Sequence, residues 1–168
     1  MSANLPQVIG YLCHGIDLES GCRIVDRGDG AGLQIAEWND PRPQPTPDEI
    51  EVAAKPAAVA IVTQRIKSER DRRKELGVAV GAHRFHSDDP SRIQQLGLVM
   101  MGASMPAGIK WKTMDGSFAD MTPQLAQQIF AAQAARDMAL FAVCEQHIAA
   151  AALADDPLAY DYSAGWPD

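Results

Sequence analysis

The side chains of this sequence that could carry chemistry fall into a few clusters. His83 and His86, close to Asp88 and Asp89, are of the types that ligate a divalent ion, because imidazole nitrogen and carboxylate oxygen suit such a centre. On an extended segment, however, positions 83 and 86 face opposite ways, so one ion would reach both only across a turn. The plainer reading places Phe85 in a core and leaves both histidines to hydrogen-bond near a helix cap. Cys13-His14 with Asp17 and Cys22 suggests a thiol catalyst, which needs a thiolate held beside a base. No second motif supports that, and a strand face explains the residues as well. Cys144 falls on an apolar helical stripe and reads as core.

Arg27-Gly28-Asp29-Gly30-Ala31-Gly32 is glycine-rich but lacks the strand-to-helix setting and the Lys-Ser/Thr ending of a phosphate loop. Neither a Gly-x-Ser-x-Gly elbow nor a His-Glu-x-x-His pair occurs. Glycan hydrolysis would need paired carboxylates in a cleft, whereas Asp115 and Asp120 flank a hairpin. The expectation is therefore a non-enzymatic chain with no catalytic residue, no cofactor and no metal. The run from Arg65 to Lys74 is rich in basic side chains but carries Glu69 and Asp71 among them. Mixed signs favour solvated pairs such as Glu69 with Arg73, four residues apart on a helix, beside a capacity for an acidic partner. The expected partner-binding side chains are Arg65, Arg70 and Arg73, with Tyr160, Tyr162 and Trp166 of the aromatic tail.

These residues must be positioned by a chain of 168 residues, enough for one principal core. Hydrophobic residues make up 46% and charged residues 22%, the range of a folded domain. A net charge of -7 disfavours nucleic acid and anionic membranes. No apolar run approaches the roughly 18 residues needed to span a bilayer, and Met1 to Gln7 lack a secretory signal pattern, so synthesis in the cytoplasm is expected. Three cysteines are an odd number and suit reduced thiols, although Cys13 and Cys22 could pair across a hairpin.

The expected fold class is α+β. Val8 to Leu12, Cys22 to Val25 and Leu33 to Trp38 read as short strands of a small N-terminal β unit over residues 1–40, used for docking. Residues 41–47, with four prolines between Pro41 and Pro47, form a stiff linker. Residues 48–168 make the main domain. Thr46-Pro47-Asp48-Glu49 is a capping box that starts a helix running to about Leu76, with a break expected at Pro56. Gly77 stops it, and strands follow on either side of Gly81. A helix capped at Ser87 or Asp88 runs to Gly102, with Ile93, Leu96 and Met100 as its buried face. Ile109 to Asp120 is a hairpin around Asp115-Gly116, and Thr122-Pro123 opens a long helix to about Leu153. The expected core comprises Ile66, Leu76, Val80, Phe85, Ile93, Leu96, Met100, Ile109, Trp111, Phe118, Leu125, Ile129, Phe141 and Ile148. The tail after Asp155 is expected to pack back onto the domain.

Ile66-Lys67-Ser68-Glu69-Arg70-Asp71-Arg72-Arg73, His83-Arg84-Phe85-His86-Ser87-Asp88 and Trp111-Lys112-Thr113-Met114-Asp115-Gly116-Ser117-Phe118 together resemble a domain of unknown function. That domain recurs in tailed phages and prophages, in proteins labelled tail, tail-fibre or tail-fibre assembly protein. The resemblance covers roughly residues 60–168. Ala164-Gly165-Trp166-Pro167 looks like the C-terminal signature of small tail-fibre assembly proteins. The resemblance implies a tail component at the fibre or baseplate that works by protein-protein interaction. Its alternative is a fibre-assembly chaperone that binds the fibre tip and is absent from the finished virion. The implied partners are other tail proteins. The resemblance also implies a homo-oligomer, a trimer in the manner of phage fibres, formed along residues 59–76 or 122–153, where the heptads are imperfect. The implied locations are the virion tail and, during assembly, the host cytoplasm.

Overall fold

The computed structural model describes residues 3–28, 30 and 32–167. Asp29 and Ala31 of the glycine-rich turn lie outside the described residues. The fold is mixed α+β, with four α-helices and three two-stranded antiparallel sheets among the described residues. The chain divides into two compact units, 1–65 with 148–161, and 66–147 with 162–168.

The first unit opens with a helix, α1 (Leu5–Leu12), where the apolar run Val8 to Leu12 suggested a strand. The deciding signal lies just upstream. Asn4 caps the helix by accepting from the Gln7 backbone N–H at 3.1 Å, and the Gln7 side chain accepts from the Asn4 N–H at 2.9 Å. Pro6 in the first turn needs no donor there. Of the three expected strands, two form: β1 (Cys22–Asp26) and β2 (Leu33–Trp38) pair as a hairpin, with a register shift between Arg23 and Ile24. The proline-rich segment that follows is pinned near its start. The Arg42 guanidinium donates to Asp40 and to the His14 carbonyl at 3.0 Å, and the Trp38 indole donates to the Arg42 carbonyl at 2.7 Å.

Helix α2 (Pro47–Lys74) starts at the expected capping box, with the Glu49 carboxylate accepting from the Thr46 N–H at 2.7 Å. It runs through Pro56 without a break, contrary to the sequence expectation. Proline deletes only one backbone donor, and here the ring lies on an exposed position while Ala53, Ala57 and Ala58 on either side are buried. Packing of those alanines with Ala3, Val8, Ile50, Ala54 and Leu158 keeps the flanking turns in one helix.

In the second unit, β3 (Val78–Val80) and β4 (His83–Phe85) form one hairpin, and β5 (Lys110–Lys112) and β6 (Phe118–Asp120) another. The Met114 N–H donates to the Arg84 carbonyl at 2.9 Å and joins the two. Helix α3 (Asp89–Met101) begins at Asp88, whose carboxylate accepts from the Ser91 N–H at 3.0 Å. Helix α4 (Pro123–Leu153) is the long C-terminal helix. The core gathers Val78, Phe85, Met105, Ala119, Met121, Ala126 and Ile129, with Val80, Ile109, Trp111 and Leu125 packed against it.

Ile66, Phe85 and Ile129 are fully buried as expected. Six other expected core residues are exposed: Leu76, Ile93, Leu96, Met100, Phe118 and Phe141. For α3 the cause is that Gln95, Leu98 and Val99 take the inward side of the helix. For Phe118 it is the alternation of a short strand, in which the neighbouring Ala119 takes the inward position.

Gly77 has φ +81°, the left-handed conformation of a helix C-terminal stop. Its N–H donates to the buried Ser87 hydroxyl at 2.9 Å, and that hydroxyl donates to the Lys74 carbonyl at the end of α2. A Cβ here would collide with the Met114 sulfur and lie 2.7 Å from the Phe85 carbonyl oxygen. Gly77→Ala is therefore expected to destabilise the protein by about 2 kcal/mol or more, and thermal melting checks it: an unchanged midpoint would refute the close approach.

Candidate functional site

Three of the expected partner-binding side chains, Arg70, Arg73 and Trp166, make contacts within the second unit. The Arg70 guanidinium lies 4.4 Å from the Phe141 ring centroid and pairs with Asp71. Arg73 lies 5.3 Å from the Trp166 ring while its Nε donates to Glu69 at 2.6 Å, the ion pair expected from the four-residue spacing. Trp166 also packs against His147, ring centroids 5.2 Å apart, and its indole N–H donates to the Tyr162 carbonyl at 2.7 Å. Arg136 donates to the Arg73 carbonyl at 2.7 Å. Cation-π and ion-pair contacts thus occupy the faces of Arg70, Arg73 and Trp166 within the chain. Arg65 is exposed and Tyr160 is half-buried, and both belong to the first unit.

The other candidates are also tied up structurally. Burial pushes the Cys22 and Cys144 thiols up, which favours the unreactive protonated form. All three cysteines are free and buried. The His86 ring stands 3.9 Å from the Asp88 carboxylate, and the His83 ring meets Phe85 edge-on at 6.2 Å. Among the described residues no three His, Cys, Asp or Glu side chains gather as a metal site. The Asp115 carboxylate accepts from the Thr113 and Ser117 hydroxyls and the Ser117 N–H, which holds it at about 2, while Asp120 pairs with Lys110.

Among the described residues, each unit carries a concave apolar surface. One, in the first unit, is a cavity of about 410 Å³. Leu33 and Ile35 of β2 form one wall, Pro45, Pro47 and Ile50 another, and Gln34, Gln44 and Glu51 add polar groups. The other, in the second unit, is a groove of about 270 Å³ between α3 and α4, lined by Ile93, Leu96, Phe130 and Ala134 with Arg92, Gln133 and Asp137. Sequence reasoning missed this groove because it assigned Ile93, Leu96 and Met100 to the core.

The reason is a buried polar network. Gln95 is 0% exposed and Gln133 is 3% exposed. The Gln133 amide donates to the Gln95 side-chain oxygen at 2.6 Å, and Gln95 donates to the His86 carbonyl at 3.0 Å. Beside them Arg92 makes a two-pronged ion pair with Asp137, at 2.7 and 3.0 Å. With Gln95 turned inward, Ile93, Leu96 and Met100 lie on the opposite side of α3. The sequence does not single out Gln95, because Gln94 stands beside it and is exposed.

Removing one of the two amides costs its buried partner the bond between them and leaves that partner only its bond to the His86 carbonyl. Gln95→Met and Gln133→Met are each expected to cost about 1–3 kcal/mol. The double variant should cost clearly less than the sum, as a double-mutant cycle by denaturant unfolding will show; strict additivity would refute the network. A second expectation concerns acid. Arg72 and Arg73 hold Glu69 near 2 against its ordinary 4.5. A depressed carboxylate contributes stability that is present above its ordinary value and lost as pH falls toward its folded value. Melting temperature should therefore fall between about pH 4.5 and 2, and Glu69→Gln should flatten that fall. Parallel melting series of both proteins check this.

The segment 17–61, which contains the hairpin and most of the first cavity, matches the family described as XkdW protein. No curated protein and no solved structure matches the chain. Residues 56–164, well over half of the sequence, match a second family, and the chain belongs to it: the Domain of unknown function DUF4376.

Proposed function

We propose that this protein is a structural component of a bacteriophage or prophage tail, associated with the fibre or baseplate and acting by protein-protein contact. The observation that carries the reading is the joint occurrence, in one chain, of an XkdW-like segment over 17–61 and a DUF4376 domain over 56–164. XkdW proteins are phage-associated, and the two families together suggest a phage-related chain.

The first unit supplies a surface suited to such contact. Its hairpin has only two strands, so β2 carries backbone donors and acceptors along an edge, beside the apolar cavity formed with Pro45, Pro47 and Ile50. An extended segment of a neighbouring tail protein could add to that edge and place an apolar side chain in the cavity. The net charge of -7 leaves nucleic acid a poor partner, and no helix among the described residues is long and apolar enough to cross a membrane.

Mass spectrometry of gradient-purified particles from the source phage or induced prophage tests the reading. The expected outcome is this chain at a fixed stoichiometry in intact particles. Absence from particles, with the chain recovered on fibre protein in the lysate, would replace it by the assembly-chaperone reading.

A further inference from the structure

The α3–α4 face of the second unit carries a large uncovered apolar surface. Ile93 is 71% exposed, Met100 80% and Met138 74%, with Leu96 and Phe130 each more than two-fifths exposed. At about 200 Å² for a fully exposed large side chain, these five leave on the order of 600 Å² uncovered. That is the upper end of the patches monomers display, and it approaches the roughly 800 Å² that each partner contributes to a stable interface.

We propose that this face is a homotypic interface, where a second copy of the chain docks about a two-fold axis. This stands independently of the tail reading. The surface has the form self-pairing requires. Ile93, Leu96 and Met100 make a ridge along one side of α3, and the groove between α3 and α4 has the small Ala134 in its wall. In an isologous pair the ridge of each copy enters the groove of the other, so both patches are covered at once. Charge does not oppose that occupant at the groove. Two copies of a chain with net charge -7 repel over most of their surfaces, but Arg92 and Asp137, the charged groups lining this groove, neutralise each other within one copy. The copies therefore meet here without bringing unpaired charge into contact.

Sedimentation velocity of the full chain across micromolar concentrations tests the proposal, with Ile93→Glu and Met138→Glu as variants on separate helices. The expected result is a mass of twice 18.1 kDa for the native sequence. Each variant should weaken association by about a hundredfold, since the new carboxylate would be buried without a partner. Far-UV circular dichroism should be unchanged, because both positions are exposed, and if one variant fails to fold the other decides. A native chain that stays monomeric overturns the proposal, as would binding of a different protein to this face of a monomer. So would a dimer that both variants leave intact. A three-copy assembly would overturn the two-fold pairing.

Discussion

A side-chain amide sealed from water must find partners, and the hydrogen bond between Gln133 and Gln95 meets that demand at the centre of the second unit. Because Gln95 sits on α3 and Gln133 on α4, meeting it fixes the rotation of one helix against the other. The same two amides reach the His86 carbonyl, where the chain leaves the β3–β4 hairpin, so the hairpin is tied to both helices. That pairing, with Leu98 and Val99 packed against the core beside it, turns Ile93, Leu96 and Met100 of α3 outward and leaves the α3–α4 groove uncovered. A core made only of aliphatic side chains would have left several rotations nearly equal in energy.

Around this centre the structure uses polar groups to stop and redirect the chain. Ser87 bridges the end of α2 and the Gly77 turn, so one buried hydroxyl serves both the last helical carbonyl and the N–H of the glycine stop. Near the end of α2, Arg70 stacks on Phe141 of α4 and Arg73 on Trp166 of the tail, and Glu69 pairs with Arg72 and Arg73. Side chains that look from sequence like a recruiting surface for an acidic partner thus have intramolecular partners. The surfaces left for other molecules are apolar and lie elsewhere: the β2 edge with its cavity in the first unit, and the α3–α4 face in the second.

Much of the fold was legible wherever one local rule dominates. Thr46-Pro47-Asp48-Glu49 started α2, Asp88 and Pro90 started α3, Thr122-Pro123 started α4, and Asp115-Gly116 closed a hairpin, each by satisfying its own backbone within a few residues. Where two local rules competed, the weaker one was followed. At Val8 to Leu12 apolar composition suggested a strand, although Asn4 and Gln7 already formed a capping box. At Pro56 the lost donor suggested a break, although the buried alanines around it hold the helix together. The candidate site was hardly legible, since an apolar residue on a helix looks the same whether it faces the core or a missing partner.

The sequence by itself determined the α+β class, the two hairpins after α2, the three helix starts from Thr46 onward and the ion pair of Glu69 with Arg73, because each depends on residues no more than a few positions apart. Only the tertiary structure decided which side of α3 is buried, what Arg70 and Arg73 touch, and which apolar side chains remain uncovered. Those outcomes rest on pairings such as Gln95 with Gln133 and Arg92 with Asp137, 38 and 45 residues apart. Periodicity marks the apolar positions of a helix, but the depth to which each is buried is set by the surface it meets.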